Sequence, residues 1–291
     1  MSNSLRVAIA GLGTVGAGTV QVLTEHRALI AQRGGRNVDI VAVSAKNRSK
    51  DRGVSLDGYE WYDDPVAMAR EADVDLVLEL IGGEDGPAKA VCEAAIAAGR
   101  HVVTANKALL AMHGNALATA AEAAGVSLNY EAAIAGGIPI VKALREGLAG
   151  NRVTRVYGIL NGTCNYILTE MREERLSYET VLADAQKLGY AEAEPSVDVD
   201  GIDAAQKLAL LASLAFGTKV NFEGVYTEGI RKVALEDIDY AEEFGYRIKL
   251  LGSARMTDHG LEQRVHPCMV RKDKPIAHVE GAYNAVVAHG D

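Results

Sequence analysis

Two lysines and a run of glycines mark where this sequence can do chemistry. Asp203 and Lys207 are four residues apart; if a helix begins at Gly201 or Ile202, they share one face, a turn apart. A lysine so placed can give a proton to a carbonyl oxygen being reduced and take it back in the reverse direction. An ordinary exposed ion pair has the same spacing, and the sequence leaves both readings open. Lys107 closes Thr104-Ala105-Asn106-Lys107, just past the end of a predicted strand. The carboxyl edge of an open α/β sheet is where ligands bind. Glu192 and Glu194 lie in a polar stretch before the Asp203 helix, where a carboxylate meets either a substrate ammonium or solvent. The seven histidines are scattered without a dense polar cluster, so the lysines stand out as proton carriers.

The glycines are Gly11, Gly13 and Gly16 of a GxGxxG pattern that also holds Thr14 and Val15, directly after a predicted strand and opening a predicted helix. The first glycine permits the tight turn, the second admits a pyrophosphate to the backbone, and the third lets helix and strand pack closely. An enzyme for NAD usually ends its second strand in Asp or Glu, to hold the ribose 2′-OH. Here Lys46, Arg48, Lys50 and Arg52 follow Ser44 and no acid ends the strand. Lys46 and Arg48 suit a 2′-phosphate, which favours NADP over NAD; a solvated basic loop is the plain alternative.

Elements that must position these residues alternate in the first half. Strands are expected at Leu5–Ala10, Val38–Ser44, Val74–Leu80, His101–Thr104 and Val126–Tyr130, with a helix over Val15–Ala31 and alanine-rich helices between the later strands. That order predicts a doubly wound parallel α/β sheet of Rossmann type over residues 1–133. A Gly-Gly-Ile-Pro turn at 136–139 marks the boundary. Beyond it, residues 134–291 read as an α+β domain: a strand at Val153–Ile159, helices near Cys164–Glu173, Ser177–Leu188 and Ile202–Phe216, then β-like runs from Arg247 onward. A net charge of −9 with a pI near 5.4 points away from nucleic acid and membrane surfaces and toward a small-molecule substrate. Three cysteines without a CxxC pair, no leader-like N-terminus and no long apolar segment place the protein in the cytoplasm.

Several motifs in order resemble the homoserine dehydrogenase family: Thr104 to Lys107, Tyr130-Glu131-Ala132 leading to Gly136-Gly137-Ile138-Pro139, Asn161-Gly162-Thr163-Cys164-Asn165-Tyr166, and Gly189-Tyr190-Ala191-Glu192 with Pro195, Asp198, Gly201, Asp203 and Lys207. Glu194 stands where the family usually has Asp or another short polar residue. The resemblance implies reversible reduction of aspartate 4-semialdehyde to homoserine with NADPH (NAD the alternative), on the route to threonine, methionine and isoleucine. Lys207 would exchange the proton, Asp203 would bind substrate, and Glu192 would meet its amino-acid end. Lys107 would lie between nicotinamide and substrate, with Thr104 and Gly189 contributing to the cofactor site. Backbone carbonyls of Glu131, Ile134, Gly136 and Ile138 would hold a monovalent cation, usually sodium, and the second domain would form a homodimer. Family members continue into a further glycine-rich segment and often an ACT domain, so the second domain is expected to be incomplete at Asp291. Two rivals remain: a thiol-dependent semialdehyde dehydrogenase using Cys164, and a non-catalytic NADP-binding sensor or inactive fragment.

Overall fold

The computed structural model describes residues 4–291, which divide into two compact units on either side of the Ala133–Ile134 junction. In the first, β1 (Leu5–Ala10), α1 (Thr14–Glu25), α2 (Arg27–Gly34), β2 (Val38–Ser44), β3 (Glu60–Tyr62), α3 (Pro65–Glu71), β4 (Leu76–Glu79), α4 (Pro87–Ala97), β5 (His101–Thr104), α5 (Lys107–Ala123) and β6 (Leu128–Asn129) follow one another. The sheet order is β3-β2-β1-β4-β5-β6, parallel throughout. The order reverses at β1, which puts the glycine turn after β1 at the topological switch point. Alternation along β1 assigns its side chains to two cores. Val7 and Ile9 pack with Leu12, Val20 and Val43, whereas Ala8 and Ala10 face a core containing Met68, Val91, Cys92 and Ala95. Burial on both faces is what covered parallel sheets require.

The helix expected over Val15–Ala31 is two helices, because the chain leaves the α region at His26 (φ −103°, ψ 17°). Arg27, opening the second, pairs with Asp39 of β2 at 2.6 Å. The expected strand over Val126–Tyr130 shrinks to two residues, and the short edge strand β3 had no expectation at all.

The second unit holds α6 (Ala132–Ala135, which begins in the first), α7 (Ile140–Lys142), β7 (Val153–Ile159), α8 (Gly162–Glu173), α9 (Tyr178–Lys187), α10 (Ser196–Val199), α11 (Ile202–Phe216), β8 (Tyr226–Thr227), α12 (Leu235–Glu243), β9 (Tyr246–Thr257), β10 (Gly260–Arg271) and β11 (Ala285–Gly290). Its sheet runs β11-β7-β9-β10-β8, antiparallel except for the β10–β8 pair. The α11 helix packs on the sheet at Gly252 of β9, where a Cβ would crowd a Leu160 methyl and touch Leu208.

A buried polar cluster fixes the far end of β9. Lys249, 1% exposed, donates to Asn165 Oδ1 at 3.0 Å and to the Val279 carbonyl at 2.7 Å, and lies 3.4 Å from Glu280 Oε2. Arg172 is bidentate to Glu280 (3.1 and 2.9 Å), and Arg247 also donates to it. Burial pushes the Glu280 carboxyl up, but the Arg172 hydrogen bonds and the charges of Lys249, Arg172 and Arg247 outweigh it and hold it below the usual carboxylate range. A depressed carboxyl stabilises the fold above its unfolded pKa, and that contribution disappears as pH falls through the folded value. Glu280→Ala is therefore expected to cost about 2–3 kcal/mol at neutral pH, at the low end for breaking a buried pair because Glu280 is partly exposed. In urea titrations the gap from wild type should close on acidification below pH ~4.

Candidate active site

In the first unit the glycine turn has the shape a dinucleotide needs. Gly11 has φ +98°, and a Cβ there would meet the Leu80 carbonyl at 2.5 Å; a Cβ at Gly16 would collide with the Gly11 carbonyl. Gly13 by contrast faces open space, with nothing within 4 Å of a Cβ. The α1 helix starts at Thr14 with no side-chain cap, so the amides around Gly13, Thr14 and Val15 point out of its positive end. Gly11, Leu12 and Gly13 of this turn border a cleft of about 570 Å³ lined also by Ser44, Lys46, Lys50, Arg52 and Leu80. The Ser44 hydroxyl is buried there without a hydrogen-bond partner, a polar group a ribose or phosphate would satisfy. The residues thus fit a bound dinucleotide.

The basic loop divides its labour. Lys46 lines the cleft, whereas the Arg48 guanidinium is 5.8 Å from the Trp61 ring centroid. Arg52, noticed in the sequence only as one of four cations, is a structural tie: its Nε donates to the Leu12 carbonyl at 3.1 Å and its Nη1 to the Lys50 carbonyl at 2.7 Å.

Thr104 turns its hydroxyl to a residue that sequence reasoning passed over. Glu79, fully buried at the end of β4, accepts from Thr104 Oγ1 (2.6 Å), Ile81 N (2.8 Å) and Gly82 N (3.2 Å). Thr104 Oγ1 in turn accepts from Asn106 N at 2.9 Å. Asn106 caps α5 through Leu109 N and donates to the Gly83 carbonyl. Lys107 is the first residue of the helix so capped. A charge inside the apolar run of β4 was the available signal.

In the second unit Asp203 and Lys207 sit one turn apart on α11, Nζ to Oδ2 2.7 Å, with side chains 6% and 17% exposed. This is no solvated surface pair. Lys207 Nζ also donates to the Leu160 carbonyl at 2.9 Å. Asn161 Nδ2 donates to Asp203 Oδ2 at 2.9 Å and Asp198 Oδ1 at 2.8 Å, while its Oδ1 accepts from Cys164 N and caps α8. Gly201 enters α11 with φ +85°, between Thr227 and Val265. Glu192 is exposed on the loop after α9, its carbonyl held by Gln186. Gly189 ends that helix with φ +79°. Glu194, despite its extra methylene, closes a local turn by accepting from Ser196 N at 3.1 Å, and the Ser196 hydrogen bonds hold its carboxyl low. In the segment before α7, Gly137 has φ +81° and the Ile138 carbonyl accepts from Ile140 N at 2.7 Å. Among the described residues no cluster of three His, Cys, Asp or Glu could hold a metal ion.

Residues 139–291 match the family model described as homoserine dehydrogenase, and residues 11–131 match that of the homoserine dehydrogenase NAD binding domain. The homoserine dehydrogenase of Pseudomonas aeruginosa is 49% identical over 289 residues, covering 99% of this chain and 65% of that protein. That of Neisseria gonorrhoeae is 47% identical over 287 residues, covering 99% and 66%. A crystal structure of the enzyme from Thiobacillus denitrificans matches with a TM-score of 0.95 at 49% identity, over 99% of this chain and 66% of that one. The chain belongs to the homoserine dehydrogenase family. It spans about two thirds of the length of the curated relatives it matches.

Membership in a homoserine dehydrogenase family also bears on Cys164. A nucleophilic cysteine needs an electropositive, partly exposed setting that favours thiolate. Cys164 is buried, its Sγ donates to the Asp198 carbonyl at 3.2 Å, and burial together with Asp198, Asp203 and Asp200 pushes its thiol well above the ordinary value. It is held as a donor, against the thiol-dependent alternative.

The buried carboxylate of β4 gives a prediction within this family fold. Glu79→Leu keeps the bulk but leaves two amides and a hydroxyl without their acceptor. It should weaken the first unit by about 2–4 kcal/mol. Hydrogen exchange of the amides around residues 76–110 should accelerate accordingly, and unchanged protection would mean the carboxylate is dispensable.

Proposed function

We propose that this chain is a homoserine dehydrogenase that reversibly reduces L-aspartate 4-semialdehyde to L-homoserine, supplying threonine, methionine and isoleucine synthesis. The observation that carries this reading is the buried Asp203–Lys207 pair, which leaves an ammonium fixed by a carboxylate and a backbone carbonyl. A nicotinamide cofactor, held by the glycine turn from Gly11 to Gly16, would supply the hydride. Lys207 gives its proton to the carbonyl oxygen as negative charge develops there, and recovers it in the oxidative direction. Asp203 keeps Lys207 in place and hydrogen-bonds the substrate. Glu192 meets the substrate ammonium from its exposed loop, and Lys107, at the capped start of α5, contacts nicotinamide and substrate.

In the same proposal Gly11, Gly13, Thr14, Val15 and Gly16 hold the pyrophosphate, Thr104 and Gly189 line the cofactor site, and Lys46 and Arg48 select NADP by its 2′-phosphate. A monovalent cation on the carbonyls of Glu131, Ile134, Gly136 and Ile138, a homodimer through the second unit and a cytoplasmic site of action complete it. Hard backbone oxygens suit such an ion. No helix among the described residues is long and apolar enough to cross a membrane.

The test follows NADPH absorbance with aspartate 4-semialdehyde. Lys207→Ala is expected to lose roughly a thousandfold or more in kcat while NADPH still binds. Lys46→Glu should instead raise KM for NADPH and leave that for NADH nearly unchanged. Cofactor binding without turnover by the unmodified chain would point to the reading as a sensor or an inactive fragment.

A further inference from the structure

The turn between β7 and α8 serves both ends of the buried pair. Leu160 offers its carbonyl to the Lys207 ammonium at 2.9 Å, and the next residue, Asn161, offers an amide N–H to the Asp203 carboxylate at 2.9 Å. Asn161 is 4% exposed, so its amide must find its partners within the protein. Its orientation is determined. Oδ1 accepts from Cys164 N at 2.8 Å, which leaves Nδ2 toward Asp203 and Asp198; the reverse orientation would set an oxygen against two carboxylates.

A helix cap alone does not require this residue type. Ser, Thr and Asp cap as well as Asn, because the cap uses only an oxygen. What the amide adds is a separate nitrogen with two N–H groups, so capping through Oδ1 still lets Nδ2 donate to two carboxylates of like charge at once, which the single hydroxyl hydrogen of Ser or Thr cannot do. Of the carboxylates around it, Asp203 pairs with Lys207 and Asp200 with Arg231, while Asp198 accepts from Asn161 through its carboxylate and from the Cys164 thiol through its backbone carbonyl.

We propose that Asn161 is a positioning residue for proton transfer: capping α8 aims its amide at Asp203, and this holds Asp203 where it fixes Lys207. The proposal rests on the reading of Lys207 as the proton carrier. Asn161 itself touches neither substrate nor cofactor in this scheme and acts through Asp203.

The test is a double-mutant cycle on the full chain with NADPH and aspartate 4-semialdehyde. Asn161→Ser keeps a capping oxygen and adds no charge, so its far-UV circular dichroism should match wild type. Its kcat is expected to fall about tenfold to a hundredfold, the scale of misplacing a catalytic group by an ångström or so. KM for NADPH should stay unchanged. Asp203→Asn will be slow by its own factor, and the double variant should be no slower than Asp203→Asn alone, since coupled residues fail to add. Factors that multiply, or wild-type kcat in Asn161→Ser, overturn the proposal. If the unmodified chain shows no turnover, the proposed function fails by itself, and crystal structures decide this inference separately. An Asn161→Ser structure with Asp203 Oδ2 still in hydrogen-bond contact with Lys207 Nζ overturns it, and a separated pair supports it.

Discussion

A carboxylate and an ammonium held together out of water set the terms for the second unit. Withdrawing each ion from solvent costs about several kcal/mol, and attraction between the two repays this only when their other hydrogen-bonding capacity is also met. Lys207 and Asp203 meet that condition with the Leu160 carbonyl and the Asn161 amide, two consecutive residues of one turn. The turn must therefore lie against the first turn of α11. Close approach is also seen at Gly229, where a Cβ would collide with the backbone of Val199 and Asp200. Gly201, with its left-handed φ, brings the chain sharply into α11 so that Asp203 falls in the first turn.

The first unit solves a related problem with one buried charge. Glu79 has no cation among its recorded partners; two amides and a hydroxyl from the loops at the carboxyl edge of the sheet take that role. The β4 loop and the β5–α5 turn are thereby tied to one atom group. The cap that starts α5 at Lys107 thus inherits its position from a strand residue buried in the sheet.

Sequence reasoning reached what repeats locally and missed what is decided at a distance. The GxGxxG turn, β1, β2, β5, β7 and α11 carry their own periodicity and punctuation, so their limits were legible. The Asp203–Lys207 spacing was legible too, but its burial was not, because whether an i,i+4 pair is solvated depends on Leu160 and Asn161, some forty residues earlier in the chain. Glu79 and Thr104 meet across a shorter gap of 25 residues. The continuous helix over Val15–Ala31 failed for a comparable reason: apolar spacing runs on through His26, while Arg27 turns the chain toward Asp39 on a neighbouring strand. In each case the residue type was informative and its partner was not.

The loop after β2 shows why a count of cations is a poor guide to recognition. Four basic residues within seven positions suggest four candidates for a phosphate. Arg52, which has the best geometry for bidentate binding, is already committed to carbonyls of the glycine turn and of its own loop. Its service is to hold Leu12 beside the loop, which keeps the glycine turn and the basic residues in fixed register. Arg48 lies near the face of Trp61. A guanidinium beside an indole has a flat, weakly hydrated partner, and such a face can also take an adenine. Lys46 stands exposed at the cleft. Lys46 and Arg48 thus have lighter structural duties than Arg52, whose hydrogen bonds determine where the loop stands.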